Sequence, residues 1–204
     1  MGLVLLLVCF IRLRLLATPL ERDEGEYAYM GQLLLQGILP YTEAYNMKFP
    51  GIYFIYAIVL AIFGEESSSI HFSLLLVNLG TSILIFQLGK RLLNRTVGMV
   101  ASVSFLMVTL SPSLQGLWAN SEHFLVAFAI AGILLMFLAV EKDHLGILFL
   151  SGLLLGSAFL IKQPGVVFAL FGIVYLSWML KGKLPVSWKE FCLRVGVFIF
   201  GILM

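Results

Sequence analysis

Eight apolar runs separated by polar joints decide what this chain can fold into. They lie at Gly2–Leu16, Gly51–Gly64, Ile70–Leu88, Val97–Leu114, Phe124–Val140, Leu145–Ile161, Gly165–Leu180 and Phe191–Met204. Four of them reach the roughly 17–25 residues that cross a bilayer with modest tilt, and the rest fall short by a few. Gly51–Gly64 is the doubtful one, because a run of about 10–14 apolar residues more readily lies at the interface or re-enters. With 61% hydrophobic and 12% charged residues and a mean hydropathy of +1.04, the chain falls outside the range of soluble globules. The expected fold class is all-α, a polytopic transmembrane helix bundle. The first run lacks a basic n-region and carries Arg12 and Arg14 where a cleavage site needs small neutral residues, so it reads as an uncleaved span. The last run has no polar anchor behind it, and the chain is expected to be the N-terminal part of a longer protein.

Charge orients the bundle. If Gly51–Gly64 does not cross, the joints holding Lys90, Arg91 and Arg95, then Lys142, then Lys181, Lys183, Lys189 and Arg194 share one side, which the positive-inside rule makes cytoplasmic. Glu21, Asp23, Glu24, Glu26, Glu43, Glu65, Glu66 and Glu122 then gather on the other side, with Arg22, Lys48 and Lys162 as its bases. Residues 19–69 become a first outer loop containing two interfacial helices, within one membrane domain over 1–204. The net charge of +2 and the dispersed bases give no stripe for nucleic acid. Cys9 and Cys192 sit in apolar runs and suggest neither a disulfide nor a thiolate site. No His/Cys/carboxylate spacing supports a dedicated metal site, and no glycine-rich phosphate loop follows a strand.

The outer loop is where chemistry is expected. Of eleven acidic residues, Glu21, Asp23, Glu24, Glu26 and Glu43 lie between Glu21 and Pro50. Tyr27, Met30, Gly31 and Leu34 recur at helical spacing, with Asp23 and Glu26 in a capping-box pattern and Gly37 and Pro40 as a stop. A surface helix over about 24–36 follows. A carboxylate at its start, partly buried and near the positive helix end, can accept a proton from a hydroxyl. The same spacing also fits Asp23 as a plain N-cap and Glu24 as a favourable first-turn charge. Lys48 places an ammonium where the loop re-enters the interface, suited to a phosphate or simply to snorkelling. Lys162 is a base on the acidic side, which an outer anion or a pair with Glu122 would each explain. Arg12 and Arg14, two apart at the outer end of the first span, face different sides of their helix. His71 and His123 each head an apolar span and read as interfacial hydrogen-bonders.

Several of these segments, in order, resemble the polytopic glycosyltransferases of the C superfamily, in the branch holding protein O-mannosyltransferases and the lipid A aminoarabinose transferase. Asp23–Glu24–Gly25–Glu26–Tyr27–Ala28–Tyr29 is similar to the family's Asp-Glu-x-x-Tyr-Ala. Gly37–Ile38–Leu39–Pro40–Tyr41 and Lys48–Phe49–Pro50–Gly51 resemble its Gly-x-x-Pro-Tyr and Lys-Pro-Pro element, with Phe49 and Glu43 departing from the usual residues. Gly89–Lys90–Arg91–Leu92 resembles its cytoplasmic Gly-Arg-Arg-Leu joint, and Ser121–Glu122 and Ile161–Lys162 its later Thr-Glu and Thr-Lys positions. The resemblance implies a sugar donor on a polyprenyl phosphate, inverting transfer to a hydroxyl on a lipid, glycan or protein, and no required cofactor or metal. It implies Asp23 as general base with Glu24 in support. Lys48 and Lys162, with Arg14, would meet the leaving phosphate, and Glu122 and Tyr27 would complete the substrate-binding set. The setting implied is a multi-pass protein of the inner (plasma) membrane with its site facing outward. A transporter or flippase for an anionic or lipid-linked solute is the alternative, since charges within a bundle also mark translocation paths. Ile70–Leu88 and Leu145–Ile161 carry no Asp, Glu, Lys or Arg, which favours catalysis at one surface.

Overall fold

A computed structural model of the chain describes residues 2–182 and 187–204; Lys183, counted above among the basic joints, lies outside the described residues. The fold is all-α. In chain order the helices are α1 (Gly2–Arg14), α2 (Arg22–Leu35), α3 (Gly51–Phe63), α4 (Ser67–Leu92), α5 (Arg95–Val108), α6 (Ser121–Lys142), α7 (Leu145–Ile161), α8 (Val166–Gly182) and α9 (Trp188–Leu203). They form two compact units, one ending at Ala127 and the other running from Phe128 to Met204, so that α6 begins in the first and continues in the second.

Three described segments are long and apolar enough to cross a membrane: Ser67–Leu92, Ser121–Lys142 and Gln163–Leu180. Among the shorter helices, α7 coincides with its apolar run, Leu145–Ile161. Val97–Leu114 is not one helix: α5 stops at Val108, and a 3₁₀ turn at Pro112–Leu114 follows. Pro112 has no N–H to offer the Val108 carbonyl, and it disfavours helical backbone in the residue before it. Gln115 then turns through the left-handed region at φ 54, and the chain reaches α6 through Trp118, Ala119 and Asn120.

In the first unit α2 and α3 pair closely. Gly31 permits it, because a Cβ there would lie 3.0 Å from the Ala57 nitrogen. The α2 face so covered comprises Glu24, Tyr27, Ala28, Met30, Gly31 and Leu33, the i, i+3, i+4 pattern of an amphipathic helix. On α3, Tyr53 and Tyr56 turn inward while Phe54, Ile58 and Ile62 form an exposed apolar stripe. At 13 residues α3 is about 20 Å long, short of a hydrocarbon core of about 30 Å. Farther along, α4 and α5 are bridged by buried Ser82 and Ser102, whose hydroxyls lie 2.7 Å apart.

The second unit packs through small residues. A Cβ on Gly152 or Gly156 of α7 would run into backbone carbonyls of α9, at Phe198 and Ile202. This is the small-x-x-x-small spacing that lets helices approach where lipid removes the hydrophobic drive between them. Ser151 donates to the Gly132 carbonyl at 2.8 Å, tying α7 to α6. Lys162 stands at the C-cap of α7, its backbone N–H still bonded to Ala158 before Pro164 ends the turn.

Candidate active site

The start of α2 is capped differently from the spacing-based expectation. Glu21, not Asp23, is the N-cap: the Asp23 N–H donates to Glu21 Oε2 at 2.8 Å, and the Glu21 N–H donates to Glu24 Oε2 at 2.9 Å. The longer Glu21 side chain takes over the capping task. Asp23 is thereby left with its carboxylate directed elsewhere.

It is directed at Lys48. Lys48 Nζ lies 2.8 Å from Asp23 Oδ2 and 3.4 Å from Glu26 Oε2. The ammonium also donates to the Tyr27 hydroxyl at 3.2 Å and stands 4.6 Å from the centre of that ring. Asp23, Glu26 and Tyr27 are one helical face, at i, i+3 and i+4, so one lysine meets all three. The loop is anchored from the other side by Tyr41, which donates to the Lys48 carbonyl at 2.7 Å. Tyr41 itself has φ 70, a conformation a bulky residue adopts only under constraint. Tyr53 completes the ring of contacts by donating to Glu26 Oε1 at 3.2 Å.

Burial would lower the affinity of Lys48 for its proton. The bonds to Asp23 and Tyr27 and the nearby Glu26 charge outweigh that, holding the ammonium above the ordinary lysine value. The Asp23 side chain is 32% exposed, and Arg22 Nε lies 3.8 Å from its other oxygen, Oδ1.

Glu24 lies about a quarter turn further round α2 and is fully buried. Its Oε1 accepts the Ala119 N–H at 2.5 Å, and His71 Nε2 approaches at 3.3 Å. The adjacent Ala119 carbonyl accepts from Tyr56 at 2.8 Å, so the strand of chain before α6 is clasped by both α2 and α3. Glu122 follows in the first turn of α6, exposed, with the Ser121 hydroxyl 3.3 Å from its Oε2.

Of the two arginines of α1, the interior one is Arg12. It is buried and donates to the carbonyls of Thr109 and Gly116 at 2.7 and 2.8 Å, which fixes the turn after α5. Arg14 is exposed at the helix end. Lys162 is half-buried and belongs to the second unit. The structure therefore joins Asp23, Tyr27 and Lys48 directly. It adds Glu26, Tyr41, Tyr53 and Arg12, to which spacing alone assigned no part at the site, and it gives His71, read from the sequence as an interfacial hydrogen-bonder, the Glu24 carboxylate as partner. Glu26 was recoverable, since it lies one turn after Asp23; the Tyr41 contact depends on a loop conformation no periodicity encodes.

A multi-helix bundle with long apolar segments and a cation-carboxylate cluster at one helix start defines an integral membrane protein of the polytopic α-helical class. Residues 47–204 match the family described as dolichyl-phosphate-mannose-protein mannosyltransferase, and the chain belongs to that family. It is accordingly a membrane glycosyltransferase of the C-superfamily type. The matched span contains Lys48, Glu122 and Lys162, while Arg14, Asp23, Glu24 and Tyr27 precede it. No curated protein and no solved structure matches the chain.

Proposed function

We propose that the chain transfers a sugar from a polyprenyl-phosphate donor to a hydroxyl acceptor on a lipid, glycan or protein, at the outer face of the inner membrane, in one inverting step. The observation that carries this reading is the 2.8 Å pair between Asp23 and Lys48, with Tyr27 on the same cation. The acceptor oxygen attacks the anomeric carbon while its proton passes to Asp23. The bond from that carbon to the phosphate oxygen breaks, and its electron pair leaves with the lipid phosphate. Lys48 faces the charge that develops there, the kind of fixed electrostatic contact that lowers such barriers most. In the resting protein the same ammonium neutralises Asp23. A donor phosphate competes for Lys48 and frees the carboxylate to act as base only when substrate is present.

Glu24, having no exposure, contributes by holding the start of α2. Arg14, Lys162 and Glu122 are proposed as further substrate-binding side chains, while Tyr27, buried, is proposed to act through Lys48, which it holds. In this reading α3 lies in the outer interface, its Phe54, Ile58 and Ile62 stripe against lipid.

The test is donor choice and stereochemistry. Purified full-length protein is given polyprenyl-phosphate mannose or the corresponding nucleotide sugar, and the anomeric configuration of the product is read by NMR. Transfer from the lipid donor alone, with inverted configuration, is expected. Equal use of the nucleotide sugar, or retention, would overturn the reading.

A further inference from the structure

The groups around His71 require one more proton than a neutral imidazole beside a carboxylate supplies. His71 Nδ1 lies 3.0 Å from the Leu16 carbonyl, an acceptor only. The Thr18 oxygen is 3.4 Å from the same nitrogen, but its hydrogen is given to the Leu15 carbonyl at 2.8 Å, so it too faces Nδ1 as an acceptor. Nδ1 must therefore carry hydrogen. The other nitrogen, Nε2, lies 3.3 and 3.5 Å from the two Glu24 oxygens, which already accept backbone N–H groups from Ala119 and Glu21. A second hydrogen is needed between Nε2 and Glu24, or two lone pairs would meet in a buried site. The backbone N–H groups on both Glu24 oxygens favour the ionised carboxylate, which places that hydrogen on Nε2.

The geometry points to His71 as a positioning residue: a doubly protonated imidazole that clamps Glu24, and through it sets the start of α2 where Asp23 meets Lys48. This rests on the transferase reading for its consequence in catalysis, and on hydrogen-bond chemistry alone for the proton. The clamp joins the chain after α1, the first turn of α2, the second turn of α4 and the segment before α6 in one set of contacts. The charged groups facing His71 are Glu24 from α2 and Arg12 from α1. Losing the proton turns the Nε2 lone pair onto the Glu24 carboxylate and loosens α2, so that Asp23 moves relative to Lys48 without either being altered.

Nitrogen-15 NMR of histidine-labelled full-length protein reads the protonation state without substrate. At about pH 8, above the usual imidazole range, one histidine is expected to show both ring nitrogens protonated. That signal should vanish in His71→Gln and become a single Nδ1–H tautomer in Glu24→Gln, where the amide supplies the hydrogen. Wild-type spectra with only neutral imidazoles overturn the inference, and need no variant to fold. In transfer assays, kcat of the wild type should fall on the alkaline side as the signal is lost, and His71→Gln should lower kcat by up to about 100-fold, the size of effect expected from misplacing a reacting group by about 1 Å, with KM little changed. A doubly protonated His71 whose loss leaves kcat unchanged overturns the positioning role. If the wild type transfers no sugar from any polyprenyl-phosphate donor, the transferase reading fails while the spectra still decide the proton.

Discussion

Lys48 and Asp23 are the side chains whose chemistry is most exposed to test. Because Lys48 is held above the ordinary lysine value, its charge contributes stability that is complete below about pH 10 and is lost only as pH rises through the higher folded-state value. Amine-reactive labelling at about pH 9 should therefore modify Lys48 more slowly than exposed Lys90; equal rates would contradict the pairing. Arg12→Met leaves the Thr109 and Gly116 carbonyls without their donor. A loss of roughly 1–3 kcal/mol for each orphaned carbonyl is expected, measurable as a lowered Tm in detergent. The residues themselves were legible to differing degrees. Asp23 and Lys48 stand out in the sequence because charge is scarce there and both sit beside apolar runs. That Arg12 rather than Arg14 turns inward is a matter of helix phase against neighbours, and spacing two residues apart leaves both choices open. Glu21 as the cap was obscured because glutamate is an uncommon N-cap and Asp23 a common one.

At the scale of elements, α2 and α3 form the scaffold of the site. Tyr27 and Tyr56 meet edge to face at 5.3 Å, and Gly31 sets how closely the two backbones run. Gly31→Val should force them apart, costing about 1–3 kcal/mol by overpacking, and should lower transfer by disturbing the Tyr53 to Glu26 contact. Unchanged thermal stability would show that the helices yield more readily than their geometry implies. Helix existence was legible almost everywhere, since 3.6-residue periodicity and Gly/Pro punctuation carry it. Helix ends were not: α5 ends at Val108 because Pro112 and the buried Arg12 contact reorganise the turn, and that contact comes from a helix nearly a hundred residues earlier. The clasp of Ala119 by Glu24 and Tyr56 is equally non-local.

For the whole molecule, composition was sufficient for the all-α membrane class, because chains this apolar and this poor in charge have few other solutions. The family match adds the glycosyltransferase class. The proposed sidedness rests on charge: a glycosylation acceptor or reporter inserted at Asn94 should report the cytoplasmic side, and an external location would mean either that the topology is reversed or that α3 crosses the membrane. The central claim is that Asp23 removes the acceptor proton while Lys48 meets the leaving phosphate. Its most direct measurement compares sugar transfer from a polyprenyl-phosphate donor by full-length wild type and Asp23→Asn, with folding checked by Tm. A fall in kcat of about 10²–10⁴-fold at nearly unchanged Tm is predicted, the usual worth of a positioned general base. Wild-type turnover by Asp23→Asn would contradict the account.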